Sequence, residues 1–259
     1  MTRRSAAAFV AACCWAGLVL QVVTALMRAQ ARGTPALHEL WLLVGYFTIT
    51  TNLVVAVLFT VLARARQGAL TAWASRPGVL AATTVHIAFV GVAYSALLRS
   101  TWHPKGLSIA ADELVHDIVP LLVLLFWWRF APKGTLRVSH IVSWLGYPAG
   151  YLAYSLARGA AEGWYPYYFL DVNTLGYPAV LKVSGLITVA IVLMSALLVA
   201  VDRHFALRTF DFQRNDLGCE RAVLDGFLGA CERRDGIAIL RFARELILRR
   251  SLFRERAHQ

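Results

Sequence analysis

Six apolar stretches, each close to the length of one membrane crossing, restrict this chain more than any other feature of its sequence. A hydrocarbon core of roughly 30 Å takes about 20 helical residues at about 1.5 Å rise each. The stretches cover approximately 6–27, 40–63, 78–98, 109–128, 138–157 and 177–201. The fourth is the least apolar, because Asp112, Glu113, His116 and Asp117 fill its first half. With 58% hydrophobic residues and a mean hydropathy of +0.57, the chain carries more apolar side chain than a soluble domain of 259 residues can hide. Short links make sequence neighbours spatial neighbours in an antiparallel bundle. The fold class expected is therefore all-α: a polytopic membrane protein with a six-helix transmembrane domain over 1–201 and a short cytoplasmic amphipathic tail over 202–259. Arg3, Arg4, a long apolar run and Ala29-Gln30-Ala31 superficially resemble a secretory signal with a cleavage site. At about 22 residues the run is too long, so an uncleaved first helix is expected.

Lys and Arg counted on alternate sides give Arg3, Arg4, Arg64, Arg66, Arg76, Arg129, Lys133 and Arg137 against Arg28, Arg32, Arg99, Lys105 and Arg158. The positive-inside rule then puts both termini in the cytoplasm and the loops near Arg32, His103 and Trp164 outside, which suits a multi-pass protein of the plasma (inner) membrane. Trp102, Trp164, Tyr165, Tyr167 and Tyr168 fall at the outer interface, and Trp73, Trp127 and Trp128 near the inner one, as aromatic belts.

The net charge of +11 does not point to nucleic acid: 12 of the 26 Lys and Arg follow Val201, where nine acids partly offset them. It reads as topology and contact with lipid headgroups. In the tail, Leu217, Leu224, Phe227 and Leu228, then Ile239, Leu240, Ala243, Leu246 and Ile247, recur at helical spacing with arginines between them. Two short amphipathic helices are expected, lying on the anionic inner leaflet or pairing with a second copy as a homo-oligomer contact. Cys13, Cys14, Cys219 and Cys231 lack metal-ligand or disulfide-framework spacing and read as free thiols. No internal repeat, glycine-rich phosphate loop or CxxC is present, which argues against a nucleotide-driven pump, and no metal or organic cofactor is expected.

A charge at the bilayer centre costs about 2.5 to 3.5 kcal/mol even on lenient insertion scales, so each polar residue in these stretches needs a reason. Thr48, Thr50, Thr51 and Asn52 interrupt the second stretch, and Asp112, Glu113, His116 and Asp117 precede Pro120 in the fourth. His86, His140 and Lys182 complete the set. Lys182 and His140 lie near helix ends and can reach water; His86, close to mid-membrane, cannot, and is a secondary pocket candidate. Counted from the outer ends of their stretches, Thr48 and His116 both lie eight residues in, about 12 Å deep. A hydroxyl and an imidazole at matched depth can meet across a helix interface, with His taking the proton from Thr as it attacks a carbonyl. Asp112 or Glu113, one turn outward, can hold the imidazole in one tautomer, and Asn52, one turn below Thr48, can donate to an oxyanion. The bland alternatives are a threonine bonded back to its own helix and a buried structural network around His116. Pro120 and Pro148 should free the carbonyls of His116 and Trp144 and kink their helices.

Tyr46-Phe47-Thr48 with Asn52, Trp102-His103-Pro104, Asp112-Glu113-Leu114-Val115-His116 with Pro120, Pro132-Lys133-Gly134, Tyr147-Pro148, Arg158-Gly159 and Gly163-Trp164-Tyr165-Pro166 running to Phe169-Leu170-Asp171 together resemble a prokaryotic six-helix membrane family of unassigned function. The resemblance covers about 1–201 and not the tail. That family in turn looks like a distant relative of the eukaryotic androgen-induced and androgen-dependent membrane threonine hydrolases, which cleave fatty acid esters of hydroxy fatty acids. The resemblance implies Thr48 as nucleophile and His116 as the helix-borne base, while Thr50 and Thr51 nearby leave the nucleophile open. The function expected is an intramembrane lipid-ester hydrolase acting on a membrane lipid or fatty-acyl ester. Asn52, Asp112, Glu113, Asp117 and His86 support the site. The alternatives are a small transporter or lipid-binding protein, in which His116, Asp117, Glu113 and His86 line a proton or ion path, and a membrane anchor for the tail.

Overall fold

A computed structural model describes residues 1–64 and 68–232 of the chain, with side chains as far as 206. The described residues form helices joined by short loops, without a strand. They run as α1 (Arg3–Arg32), α2 (Ala36–Leu43), α3 (Phe47–Arg64), α4 (Ala69–Ala74), α5 (Pro77–Ala93), α6 (Leu107–Glu113), α7 (Val119–Phe130), α8 (Ser139–Trp144), α9 (Gly146–Glu162) and α10 (Val172–Glu232). Two π-helical turns extend this frame: Tyr94–Leu98 continues α5, and Leu114–Ile118 joins α6 to α7. The chain divides into a unit of Met1–His204 and a second of Phe205–Gln259. In the second, 205–232 belong to the end of α10. The expected helix around Ile239–Ile247 lies outside the described residues, as do the side chains of Leu217–Leu228, Cys219 and Cys231.

Four helical segments are long and apolar enough to cross a membrane: Arg3–Arg32, Phe47–Arg64, Pro77–Leu98 and Val172–Ala206. The last is the most telling, since only 22% of its most apolar window is buried within the protein. Leu186, Leu193 and Leu197 stand on its exposed face. That outward apolar surface is what a membrane protein presents to lipid.

In the first unit α1 packs along α3 and against α6 and α7, and α5 packs on α3 and α7. Their shared core includes Val55, Phe59, Ile87, Val119 and Val123, all buried. Trp127, expected in the inner aromatic belt, is buried in this core. The ammonium of Lys133 turns back beneath it and donates to the carbonyls of Trp127, Trp128 and Ala131 at 2.8, 3.0 and 2.8 Å. The carbonyls of Trp128 and Ala131 lie where the end of α7 runs out of helical donors, and that of Trp127 also accepts from the Ala131 N–H at 3.1 Å. Burial pulls the Lys133 ammonium below the usual lysine range, and Asp202 pulls the other way.

The second apolar stretch is not one helix. It breaks at Val44–Tyr46, between α2 and α3. The cause is a close approach: a Cβ on Gly45 would sit 2.6 Å from the Trp164 ring and 2.8 Å from the Arg158 guanidinium. Arg158 lies over the rings of Trp41 and Trp164 at 4.2 and 4.9 Å and donates to Glu162 at 2.9 Å. Trp164, expected as a belt residue, is thus part of the packing that seats the break. The hydroxyl of Tyr151 donates to the Gly45 carbonyl at 2.8 Å, and the phenol oxygen of Tyr167 accepts from the Phe47 N–H at 3.1 Å, so the interrupted backbone finds side-chain partners.

Gly91 sets the approach of α5 to the fourth stretch, where a Cβ would come within 2.8 Å of the His116 carbonyl oxygen. Gly91→Val should therefore lower stability by about 1–3 kcal/mol. Gly150→Ala, where a Cβ meets nothing within 4 Å, should change it by less than about 0.5 kcal/mol. Reversible unfolding in detergent measures both, and equal effects would contradict the packing described.

Candidate functional site

The two π-helical turns meet through the rings of Tyr94 and His116, and Asp112, Arg99 and Asp117 gather around that contact. A π turn widens the helix by one residue and re-aims its side chains, which is why such turns recur at functional sites. Here they bring the rings of Tyr94 and His116 into a stack, with centroids 3.9 Å apart and planes 14° from parallel. Nδ1 of His116 lies 3.2 Å from Oδ1 of Asp112 and 3.1 Å from the Asp112 carbonyl oxygen. Both neighbours only accept, so Nδ1 is the nitrogen that donates to them, and in the neutral ring Nε2 is the acceptor. Among the described residues nothing bonds to Nε2. The hydroxyl of Tyr94 donates to Oδ2 of Asp112, so both carboxylate oxygens of this buried residue are held. Of the two acids one turn outward from His116, Asp112 is the one that fixes the imidazole. Glu113 is exposed and points elsewhere. Asp117 is taken by Arg99, whose Nη2 reaches its two oxygens at 2.5 and 2.6 Å. The Arg99 guanidinium also lies 4.9 Å from the centroid of the Tyr94 ring.

Thr48 and His116 line different spaces, although the Asn52 amide joins their backbones by donating to the carbonyls of Thr48 and Val115. Because the second stretch breaks at Val44–Tyr46, Thr48 falls in the first turn of α3 rather than two turns into a continuous helix, and the count that matched its depth to His116 does not apply. Its side chain neighbours the Tyr167 phenol. It lines a cavity of about 90 Å³ with Phe47, Phe89, Tyr151, Phe169 and Ile187, several times the space one water needs and almost wholly apolar. His116 lines a different and larger groove of about 940 Å³, with Ser95, Asp117 and Pro120 at its polar end. Tyr94 belongs to the wall of the Thr48 cavity and stacks on His116, so its ring stands between the two spaces.

The remaining polar residues mostly serve the backbone. Asn52 is fully buried, and its amide donates to the carbonyls of Thr48 at 2.9 Å and Val115 at 3.2 Å. With both hydrogens committed it has none for an oxyanion, which corrects the donor role read from its position one turn below Thr48. Its own carbonyl and side-chain oxygens accept from the Cys14 thiol at 3.0 and 3.4 Å. Thr50 donates to the Phe47 carbonyl at 3.1 Å and accepts from Tyr147 at 3.0 Å, and Thr51 shares the same phenol at 3.0 Å. His86, the secondary pocket candidate, is buried away from both the Thr48 cavity and the His116 pair. Its Nε2 donates to the Trp144 carbonyl at 3.0 Å, the oxygen that Pro148 leaves without a helical donor. The corresponding carbonyl of His116, freed by Pro120, is packed against Gly91.

Sequence reasoning passed over Tyr94 and Arg99. Arg99 counted only as a topology charge, and a tyrosine in an apolar run carries no signal of its own. The spacing of Gly91, Ser95 and Arg99 at intervals of four was the available clue. Among the described residues no three or more His, Cys, Asp or Glu are placed to hold a metal ion.

Asn52→Ala and His86→Phe should each destabilise the protein by about 1–3 kcal/mol, because each leaves a buried carbonyl without its donor. Unfolding in detergent measures this, and wild-type stability for both would contradict the bonding described. No family model matches the chain, and neither a curated protein nor a solved structure matches it significantly.

Proposed function

We propose that this protein crosses the inner membrane six times with both termini in the cytoplasm, and that it is an intramembrane hydrolase of lipid esters in which His116 is the general base. Six crossings are supported by Leu107–Phe130, helical without interruption, and by Ser139–Glu162, helical apart from a turn at Leu145. Each is long enough to span the hydrocarbon core.

The observation that carries the hydrolase reading is the pairing of His116 with Asp112. A hydroxyl is a poor nucleophile at its free pKa, and a neutral imidazole held by a carboxylate on one nitrogen is what activates it. Asp112 fixes the tautomer that leaves Nε2 able to accept, and it stabilises the imidazolium formed after proton transfer. The surrounding spaces are lined by aliphatic and aromatic side chains, which suits a fatty-acyl ester entering sideways from lipid. The resemblance to the membrane threonine hydrolases supports the same reaction class and implies Thr48 as the hydroxyl. The chemistry needs no cofactor.

A fluorophosphonate probe bearing a long alkyl chain, added to purified protein in detergent, should label the wild type. His116→Ala and Asp112→Asn should each slow labelling by at least about 100-fold, the scale of a lost general base. If folded wild type takes no label, or if both variants label at the wild-type rate, the hydrolase reading fails and a non-enzymatic proton or ion path through the same acids becomes the better account.

A further inference from the structure

We propose that Ser95 is the nucleophile His116 activates, with the acyl chain of the ester lying in the groove that leads away from it; this rests on the hydrolase reading. The argument begins with which hydroxyl shares a space with the base. Thr48 opens into the smaller cavity on the far side of the Tyr94 ring. Ser95 lines the groove that His116 and Asp117 line.

The register of the two helices brings the segment that carries Ser95 alongside the one that carries His116. Gly91 lies against the His116 carbonyl, and Arg99 bonds Asp117. Ser95 lies between them in the chain, in the π turn that begins at Tyr94, whose ring stacks on His116. Side chains tilt toward the N-terminus of their own helix. The His116 ring therefore leans toward Asp112, which its Nδ1 meets, and the step from Gly91 to Ser95 along the opposed helix goes the same way.

Ser95 also differs from the other hydroxyls of its helix. Thr83 and Thr84 return their hydrogens to the carbonyls of Val79 and Leu80 at 3.0 and 2.8 Å. Among the described residues no hydrogen bond is made by the Ser95 hydroxyl, and the residue is exposed. It sits in the π-helical turn Tyr94–Leu98, where the ordinary bonding ladder is displaced. A free hydroxyl and a free imidazole nitrogen thus face one space.

Beyond this polar end the groove is apolar, bounded by Leu121, Leu124, Leu125, Met194 and Leu197. From His116 to Trp128 it follows the helix for about 18 Å, more than half the depth of a hydrocarbon core. Leu121, Leu125 and Leu197 are each more than half exposed, so its rim is open to lipid along its length. A fatty-acyl chain fits that shape with its ester carbonyl at Ser95.

In the reaction the Ser95 oxygen bonds to the ester carbonyl carbon as its proton passes to Nε2 of His116. The tetrahedral adduct collapses, the bond to the alcohol oxygen breaks, and the alcohol leaves with the proton from Nε2. Water, deprotonated by the same nitrogen, then attacks the acyl-serine, releases the fatty acid and restores the Ser95 hydroxyl.

Peptide mapping of the full-length protein after reaction with the long-chain fluorophosphonate tests this. The adduct should be found on Ser95. Ser95→Ala should lose labelling by at least about 100-fold. Ser95→Cys supplies a folding-independent arm: its alkylation by a long-chain iodoacetamide should slow when His116→Ala is added. An adduct on Thr48, or wild-type labelling of Ser95→Ala that still depends on His116, overturns the Ser95 assignment and leaves the hydrolase reading standing. Absence of any adduct on folded wild type removes both.

Discussion

A backbone N–H or C=O without a partner costs several kcal/mol in hydrocarbon, and this cost organises the polar residues of this protein. At several breaks and ends a side chain closes the gap. Tyr167 accepts from the N–H of Phe47 and Tyr151 donates to the Gly45 carbonyl at the break between α2 and α3. His86 donates to the carbonyl that Pro148 frees, and Lys133 caps the last carbonyls of α7. Asn52 ties α3 to the π turn at Leu114–Ile118 through the Val115 carbonyl. Most of the polar residues in the apolar stretches are there because the backbone is irregular, and they need no ligand to account for them.

Against this background the cluster of Asp112, His116, Tyr94, Arg99 and Asp117 stands apart. Its bonds run chiefly between side chains, and it leaves one acceptor nitrogen unused beside a groove. Among the described residues that nitrogen is not one of the buried polar atoms left without a partner, so a molecule in the groove can reach it. The packing that holds the cluster is tight on the backbone side, where Gly91 meets the His116 carbonyl, and loose on the groove side, where exposed leucines form the rim. The imidazole is thus fixed in place while the space in front of it stays open to lipid.

Much of the fold is legible in the sequence. The long apolar runs mark α1, α5 with its π turn, and the membrane part of α10, because hydrocarbon thickness sets their length regardless of what they pack against. The carbonyl freed by Pro148 follows from proline chemistry alone, as does the need for something to meet it. The break at Val44–Tyr46 is signalled only by Gly45, a poor helix former that a membrane helix can tolerate; what seats the break is the clasp of Gly45 by Trp164 and Arg158, more than 110 residues later in the chain. That break displaced the depth estimate for Thr48, which lines a different space from His116.

The sequence by itself determined that this chain is helical, that it is apolar enough for a membrane, and that a histidine flanked by acids lies within one of its helices. Those properties depend on composition and on spacing along a single helix, where residues four apart must share a face. Which acid holds the imidazole, which aromatic ring stacks on it and which hydroxyl shares its groove were decided only by the tertiary structure. Those are contacts between helices, set by how closely two backbones approach at a glycine and by π turns that rotate side chains off their ordinary register.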